Sequence, residues 1–125
     1  LAVLAKPRGK VLLVTDAMSP VGTSDSEFSF LDGKVIRDGN KLTNEAGALA
    51  GSVLDMAAAV QYAVEQLDVS AEEALRMASL YPAQFLAQPN KGRIVAGAQA
   101  DLVLLNNNWQ VQANWINGKP VFAAE

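Results

Sequence analysis

An uninterrupted apolar run is the first clear pattern along the chain. Residues Lys10–Thr15 read Lys-Val-Leu-Leu-Val-Thr, with no polar residues alternating between the apolar ones. The pattern is typical of a parallel strand that is buried on both faces, and it ends at Asp16. Such a strand needs neighbours, yet no second run of this kind followed by a helix is present. Because the first residue is also Leu and not Met, we expect the chain to be the C-terminal part of a larger protein.

Extended segments separated by turns follow this run. Asp32-Gly33 stands between Glu27–Leu31 and Lys34–Arg37, and Asp-Gly between two extended runs is typical of a β-hairpin. A second turn at 38–40 leads into a short extended piece near Lys41–Thr43. The sequence therefore predicts a small antiparallel meander.

Helical periodicity replaces this pattern near Ser52. The first helix is predicted from Ser52 to Leu67, with Ser52 and Asp55 as a capping box. Its apolar residues fall on one face at helical spacing: Val53, Met56, Ala57, Val60, Val64 and Leu67.

A second helix is predicted to open at Ser70, with Glu73 completing another capping box. Pro82 interrupts it, and a short third turn is predicted from Pro82 to Leu86. We interpret Tyr81-Pro82 as a turn between helices.

Strands return at the end of the chain. They are predicted at Asp101–Leu105, Gln110–Ile116 and Lys119–Ala123, the last two joined by an Asn117-Gly118 hairpin turn. Because strands occur on both sides of the helices, one small β module assembled from distant pieces is expected.

Charge and residue types exclude several kinds of partner and site. The chain has 10 Lys and Arg against 13 Asp and Glu, without a basic run, so nucleic acid is not expected as a partner. No apolar stretch reaches the roughly 20 residues that a membrane span needs, and no secretory signal is recognisable, so we expect a cytoplasmic protein without a membrane partner. His and Cys are absent, which excludes Ser-His-Asp and Cys-His catalysis. A zinc or iron site in this chain would have to be built from carboxylates alone.

Four blocks of sequence resemble one family. Gly92–Leu105 (Gly-Arg-Ile-Val-Ala-Gly-Ala-Gln-Ala-Asp-Leu-Val-Leu-Leu) resembles a stretch near the C-terminus of amidohydrolases. Three more blocks, in this order and at these distances, are similar to the last third of the N-acetylglucosamine-6-phosphate deacetylases: Leu13–Pro20, Leu49–Met56 and Met77–Ala83.

The resemblance implies an α/β fold, the C-terminal part of a metal-dependent (β/α)₈ barrel with strands of a small β-sandwich domain. Residues 1–26 would form the last barrel strand and the catalytic loop, and residues 27–48 a β-hairpin insertion. Residues 49–91 would form helices on the outside of the barrel, and residues 92–125 the C-terminal strands of the small β domain.

The resemblance also implies an activity, hydrolysis of the acetamide of N-acetylglucosamine 6-phosphate to glucosamine 6-phosphate and acetate. Asp16 would lie at the end of the last barrel strand, where such barrels have their active sites, and would move the proton from water to the departing nitrogen. Leu49, Ala50 and Gly51 would contact the substrate. Ser52 at the predicted helix start is interpreted as a plain N-cap or a phosphate contact.

The metal of the family, zinc or iron, is held by a Glu and two His from earlier strands. No position of this chain matches them, so no metal ligand is assigned here. The implied partners are an amino-sugar phosphate substrate and the remainder of the same enzyme; a homo-oligomer is left open.

Other interpretations remain open. The Gly92–Leu105 block equally fits a dihydroorotase-like or deaminase-like amidohydrolase. A non-catalytic α/β module that binds a partner through its sheet edge is an alternative from another class. Asp16 is then a helix cap or a loop residue at a strand end. Asp101, Trp109 and Trp115 are interpreted as structural in every case.

Overall fold

The computed structural model describes Ala5, residues 10–31 and residues 33–124. The chain forms two compact units, one from Val14–Ala59 and one from Leu1–Leu13 together with Val60–Glu125. Among the residues described, none of the helices combines the length and the apolar character needed to cross a membrane.

The Val14–Ala59 unit is an antiparallel meander. Four strands follow one another in sequence order: β1 (Glu27–Phe30), β2 (Gly33–Asp38), β3 (Lys41–Asn44) and β4 (Leu49–Ser52). Phe30 pairs with Gly33, which confirms the predicted hairpin, although Asp32 itself lies outside the described residues.

A small apolar core stabilises this meander. Val35, Leu42 and Val53 are buried, and Leu42 is fully enclosed. Partly buried apolar side chains pack against them, including Met18 and Ala50. The residues that precede and follow the sheet are therefore attached to it by packing as well as by hydrogen bonds.

The buried strand predicted at Lys10–Thr15 is not found in the structure. These residues belong to no strand, and the Val14 side chain is 81% exposed. The hydrogen bond from the Leu13 N–H to the Met77 carbonyl does not extend into a ladder. A parallel strand needs a neighbouring strand to pair with. The apolar run here has no such neighbour among the described residues.

The predicted start of the first helix is also wrong. Leu49–Ser52 is the strand β4, and helix α1 runs from Met56 to Leu67. The Asp55 carboxylate accepts a hydrogen bond from the Ala58 N–H at 2.8 Å, so Asp55 is the N-cap. Ser52 therefore lies outside the helix, and its interpretation as a helix cap or a helix-end phosphate contact no longer applies.

Helix α1 buries a narrower face than its periodicity indicates. Ala59, Val60 and Ala63 are buried, whereas Met56 and Leu67 are 37% and 41% exposed. Two of these three buried residues are alanines, so the buried face of α1 is centred on small side chains.

The second unit contains two further helices, α2 (Ala71–Ala78) and α3 (Leu80–Phe85). The Ser70 hydroxyl accepts a hydrogen bond from the Glu73 N–H, which confirms Ser70 as the N-cap. The Glu73 carboxylate does not complete the capping box. It forms an ion pair with the Arg76 guanidinium at 2.8 Å and accepts a hydrogen bond from the hydroxyl of buried Tyr81.

Helix α3 begins at Leu80, two residues before the position predicted from Pro82. Proline is tolerated there because the first N–H groups of a helix have no partner within it. Ser79 separates α2 from α3, and its hydroxyl donates to the Leu75 carbonyl.

The C-terminal strands are β5 (Leu102–Leu105), β6 (Val111–Ile116) and β7 (Lys119–Ala123), close to their predicted bounds. They form an antiparallel sheet of their own. The described strands thus fall into two separate sheets, not the single β module expected. In each sheet, strands that are consecutive in sequence pair with one another as hairpins, so neither sheet needs strands from distant parts of the chain.

Candidate active site

Asp16 lies within a short contact between two segments of the meander unit that are distant in sequence. Its side chain is exposed, and its backbone has a positive φ of 52°. Asp adopts this left-handed conformation more readily than most residues, but the conformation still needs support from its surroundings. The Asp16 carbonyl accepts a hydrogen bond from the Ser52 N–H at 2.9 Å.

This contact continues on both sides of Asp16. Ala17 and Ser52 form an isolated parallel bridge, and the Met18 N–H donates to the Ser52 carbonyl at 2.9 Å. The Ser52 hydroxyl donates to the Thr15 carbonyl at 2.5 Å. The structure therefore connects Asp16 with β4, the strand that contains all three residues predicted to bind substrate.

Gly51 lies against the Asp16 segment, which we define as Thr15–Met18. Its φ is +106°, and a Cβ added there would be 2.8 Å from the Met18 side chain and 3.1 Å from the Asp16 carbonyl oxygen. Only glycine combines this backbone angle with so close an approach. The requirement for glycine here comes from its own positive φ, from the Met18 side chain and from the Asp16 carbonyl.

The other two residues predicted to bind substrate differ in exposure. Leu49 is 70% exposed, while Ala50 is partly buried and packs on the meander core. Leu49 is therefore the most accessible of the three, whereas Gly51 is buried.

Sequence reasoning missed the role of Ser52 in this arrangement. The motif Leu49-Ala-Gly-Ser carries no signal for pairing with a segment some 35 residues earlier, and Ser before a helix is typical of an N-cap. In the structure the Ser52 hydroxyl also accepts the Leu54 N–H at 3.1 Å. Its donor and one acceptor position are both used within the protein.

The residues of this chain do not fit a zinc or iron site. Neither His nor Cys occurs in the sequence, and within the described ranges no three Asp or Glu residues are grouped as metal ligands would be. These metals are bound in proteins mainly by imidazole and thiolate together with carboxylates.

Asp101 is structural, as predicted. Its carboxylate accepts hydrogen bonds from the Lys91 ammonium and from the Asn117 N–H, both at 2.8 Å. Lys91 and then the Asn117 N–H lower the pKa of Asp101 below its ordinary value of 3.8, with a smaller contribution from Gln99. Asp101 thus connects the Asn117-Gly118 turn to the segment before β5.

The two tryptophans also have structural contacts. Trp109 packs against the apolar core formed by the helices, and Trp115 lies in β6 opposite Leu102.

We expect the Asp101 contribution to stability to depend on pH. A lowered folded-state pKa stabilises the fold above the unfolded pKa, and this effect disappears as the pH falls through the folded pKa. Asp101→Asn should therefore melt slightly below the parent near neutral pH, and the difference should shrink below about pH 4. Thermal denaturation of both proteins across this range measures it. A difference that is constant with pH would contradict the assignment.

Comparison with known proteins assigns the chain to a family. The family model described as "Amidohydrolase family" matches residues 8–121, which is most of the chain. The chain belongs to the amidohydrolase family. This amidohydrolase segment contains the Asp16 segment, β4 and the Gly92–Leu105 block within the matched range.

Similar proteins are named as deacetylases of amino-sugar phosphates. The segment is 48% identical to an N-acetylgalactosamine-6-phosphate deacetylase of Shewanella sp. (strain ANA-3), over 97% of the segment and 31% of that protein. It is 38% identical to an N-acetylglucosamine-6-phosphate deacetylase of Mus musculus, over 97% of the segment and 30% of that protein.

Solved structures agree with these names. The crystal structure of N-acetylglucosamine-6-phosphate deacetylase from Pasteurella multocida superposes with a TM-score of 0.86 at 29% identity, covering 90% of the segment and 30% of that chain. The segment spans less than a third of the length of the relatives that it matches.

Proposed function

We propose that this chain is the C-terminal part of a deacetylase that hydrolyses the acetamide of N-acetylglucosamine 6-phosphate to glucosamine 6-phosphate and acetate, in the cytoplasm. The observation that carries the proposal is the exposed Asp16 carboxylate, in a segment attached by hydrogen bonds to the Leu49–Ser52 strand. The names of the relatives support the choice of substrate class.

Asp16 has the chemistry that amide hydrolysis requires of a protein side chain. A carboxylate takes a proton from the attacking water and then returns it to the departing nitrogen, so that the amine leaves in a neutral form. The exposed side chain of Asp16 is free to approach a substrate, while its backbone is fixed by the Ser52 N–H. The backbone contact thereby limits the movement of the Asp16 Cα, from which the carboxylate extends.

The remainder of the enzyme completes the proposal. The Asp16 segment would follow the last strand of a (β/α)₈ barrel whose other strands come from outside this chain, and that barrel would give Val11–Thr15 the neighbours it lacks. A divalent metal, zinc or iron, is included in the proposal with all its ligands outside this chain.

The galactose epimer is a second candidate substrate. The relative at 48% identity is named for N-acetylgalactosamine 6-phosphate, whereas the glucosamine enzyme of Mus musculus is 38% identical. The two sugars differ only in the configuration at C4, so the proposed reaction at the acetamide is the same for both.

Steady-state kinetics of the full-length protein that carries this chain test the proposal. We expect acetate release from a 6-phosphorylated N-acetylhexosamine, with kcat/KM at least about 10²-fold lower for the sugar without phosphate, because a site built for the phosphate is left with unpaired polar groups. The ratio between the two epimers identifies the preferred sugar. Absence of acetate release from both phosphates, or turnover of a dihydroorotate or nucleobase substrate instead, would refute it.

A further inference from the structure

The hydroxyl of Ser52 links the Asp16 segment to the chain that leads into helix α1. It donates to the Thr15 carbonyl at 2.5 Å and accepts from the Leu54 N–H at 3.1 Å. Both contacts are made by one side-chain oxygen that is partly buried. Apart from Thr, no other residue type carries an oxygen so close to the backbone that both donates and accepts.

The backbone of Ser52 contacts the same segment. Its N–H donates to the Asp16 carbonyl and its carbonyl accepts from the Met18 N–H, each at 2.9 Å. One residue therefore binds Thr15, Asp16 and Met18. The adjacent Gly51 lies so close to this segment that a side chain there would collide with Met18. These hydrogen bonds lie at Asp16 and on both sides of it, where the chain adopts a left-handed φ.

From these contacts we infer that Ser52 is a positioning residue for Asp16, which it aligns through the carbonyl of Thr15 without touching the substrate. The inference rests on the proposed function of Asp16 as the proton-transfer group. Peptide planes are rigid, so the orientation of the Thr15 carbonyl fixes the plane that connects Thr15 to Asp16. Releasing this carbonyl lets the Asp16 φ relax toward the ordinary negative region.

A misaligned Asp16 affects turnover more than substrate binding. Displacements of about 1 Å in a catalytic group lower rates by up to roughly 10²-fold, because the reacting atoms leave the productive geometry. Substrate affinity depends on other contacts, so KM should change little. The expected signature is a selective loss in kcat.

The decisive comparison is between Ser52→Thr and Ser52→Val in the full-length protein. The two side chains have nearly the same shape and both suit the end of a strand, but only Thr retains the hydroxyl. We expect kcat of the Thr variant within about threefold of the parent, and kcat of the Val variant lower by roughly 10-fold to 10²-fold. Equal turnover of the two variants would overturn the inference.

A double-mutant cycle separates positioning from a general structural role. Ser52→Val is combined with Asp16→Asn, which removes the group that Ser52 is inferred to align. If Ser52 acts through Asp16, the Val substitution should lower kcat by no more than about twofold in the Asn background. A loss of the same factor in both backgrounds shows that Ser52 acts independently of Asp16 and contradicts the inference.

Two further measurements separate the inference from a general loss of stability and from a failure of the proposed function. Ser70→Ala removes the N-cap of α2, which should lower the melting temperature and leave kcat unchanged, so it controls for loss of stability alone. Crystal structures of the Thr and Val variants give a readout without turnover. The Asp16 φ should stay near its parent value in the Thr variant and change in the Val variant; an unchanged φ in both would overturn the inference even if the parent were inactive on both sugar phosphates.

Discussion

Replacing Asp16 with Asn in the full-length protein should lower kcat by roughly 10²-fold to 10⁴-fold, with a much smaller change in KM. Asn keeps the size and shape of the side chain, but it neither accepts the proton of the attacking water nor delivers one to the leaving nitrogen. The substitution also leaves the backbone contact in place, because the Ser52 N–H binds the carbonyl of residue 16 and not its side chain. Binding and folding should therefore survive while turnover is lost.

Steady-state kinetics and a melting curve of the same preparation measure this effect. Asp38→Asn, an exposed position in β2, is the matched control and should match the parent in both measurements. The structural interpretation of Asp16 makes the opposite prediction, since loss of a cap costs about 1 kcal/mol of stability and leaves turnover per folded molecule nearly intact. An Asn variant that melts lower but turns over within a few-fold of the parent would remove Asp16 from the mechanism.

Gly51→Ala should destabilise the protein by about 3 kcal/mol, as the sum of two unfavourable terms. A left-handed φ costs an L-residue roughly 1 to 3 kcal/mol, and a methyl group forced into a filled space costs a similar amount. The methyl group would meet the Met18 side chain, which is able to move, and the Asp16 carbonyl, which is part of the backbone. Relief of the second contact displaces Asp16, so kcat should fall as well.

Gly47→Ala isolates the first of these terms. Gly47 has a φ of +77°, and no atom lies within 4 Å of the position that its Cβ would occupy. Its substitution should cost about 1 kcal/mol and leave kcat unchanged. Urea denaturation and kinetics of the two variants side by side give the comparison. Equal losses of stability would mean that the approach of Gly51 to the Asp16 segment is unimportant.

Features set by neighbouring residues were predictable from the sequence. The Asn117-Gly118 turn and the Ser70 N-cap depend on residues within a few positions of one another, and both were found where the pattern predicts them. The same holds for β1, β2 and β3, which are joined by short turns. Local chemistry decides these elements, and local chemistry is what a sequence pattern contains.

Features set by distant pairing were not predictable. Leu49–Ser52 contains Ala, Gly and Ser, which have little preference for strands, so its sequence does not predict β4. It pairs locally with β3, and Ser52 also forms a bridge to the distant Ala17. Ser52 and Asp55 both suit an N-cap, and the choice of Asp55 depends on Ser52 being engaged by Thr15. Conversely, Lys10–Thr15 has the composition of a buried strand but lacks a partner among the described residues. Of the candidate site, the sequence pointed to Asp16 and to 49–51 separately, without the hydrogen bonds that connect them.

The bonds between Thr15–Met18 and Ser52 define what can be exchanged between homologues. A chimera that takes only residues 15–18 from another member of the amidohydrolase family would combine that loop with a Gly51 and a Ser52 to which its backbone is not fitted. A graft that transfers both segments, 15–18 and 49–54, keeps the hydrogen bonds between them. The transplantable unit at this site is therefore discontinuous in sequence, and recombination breakpoints placed between the two segments separate residues that fit each other.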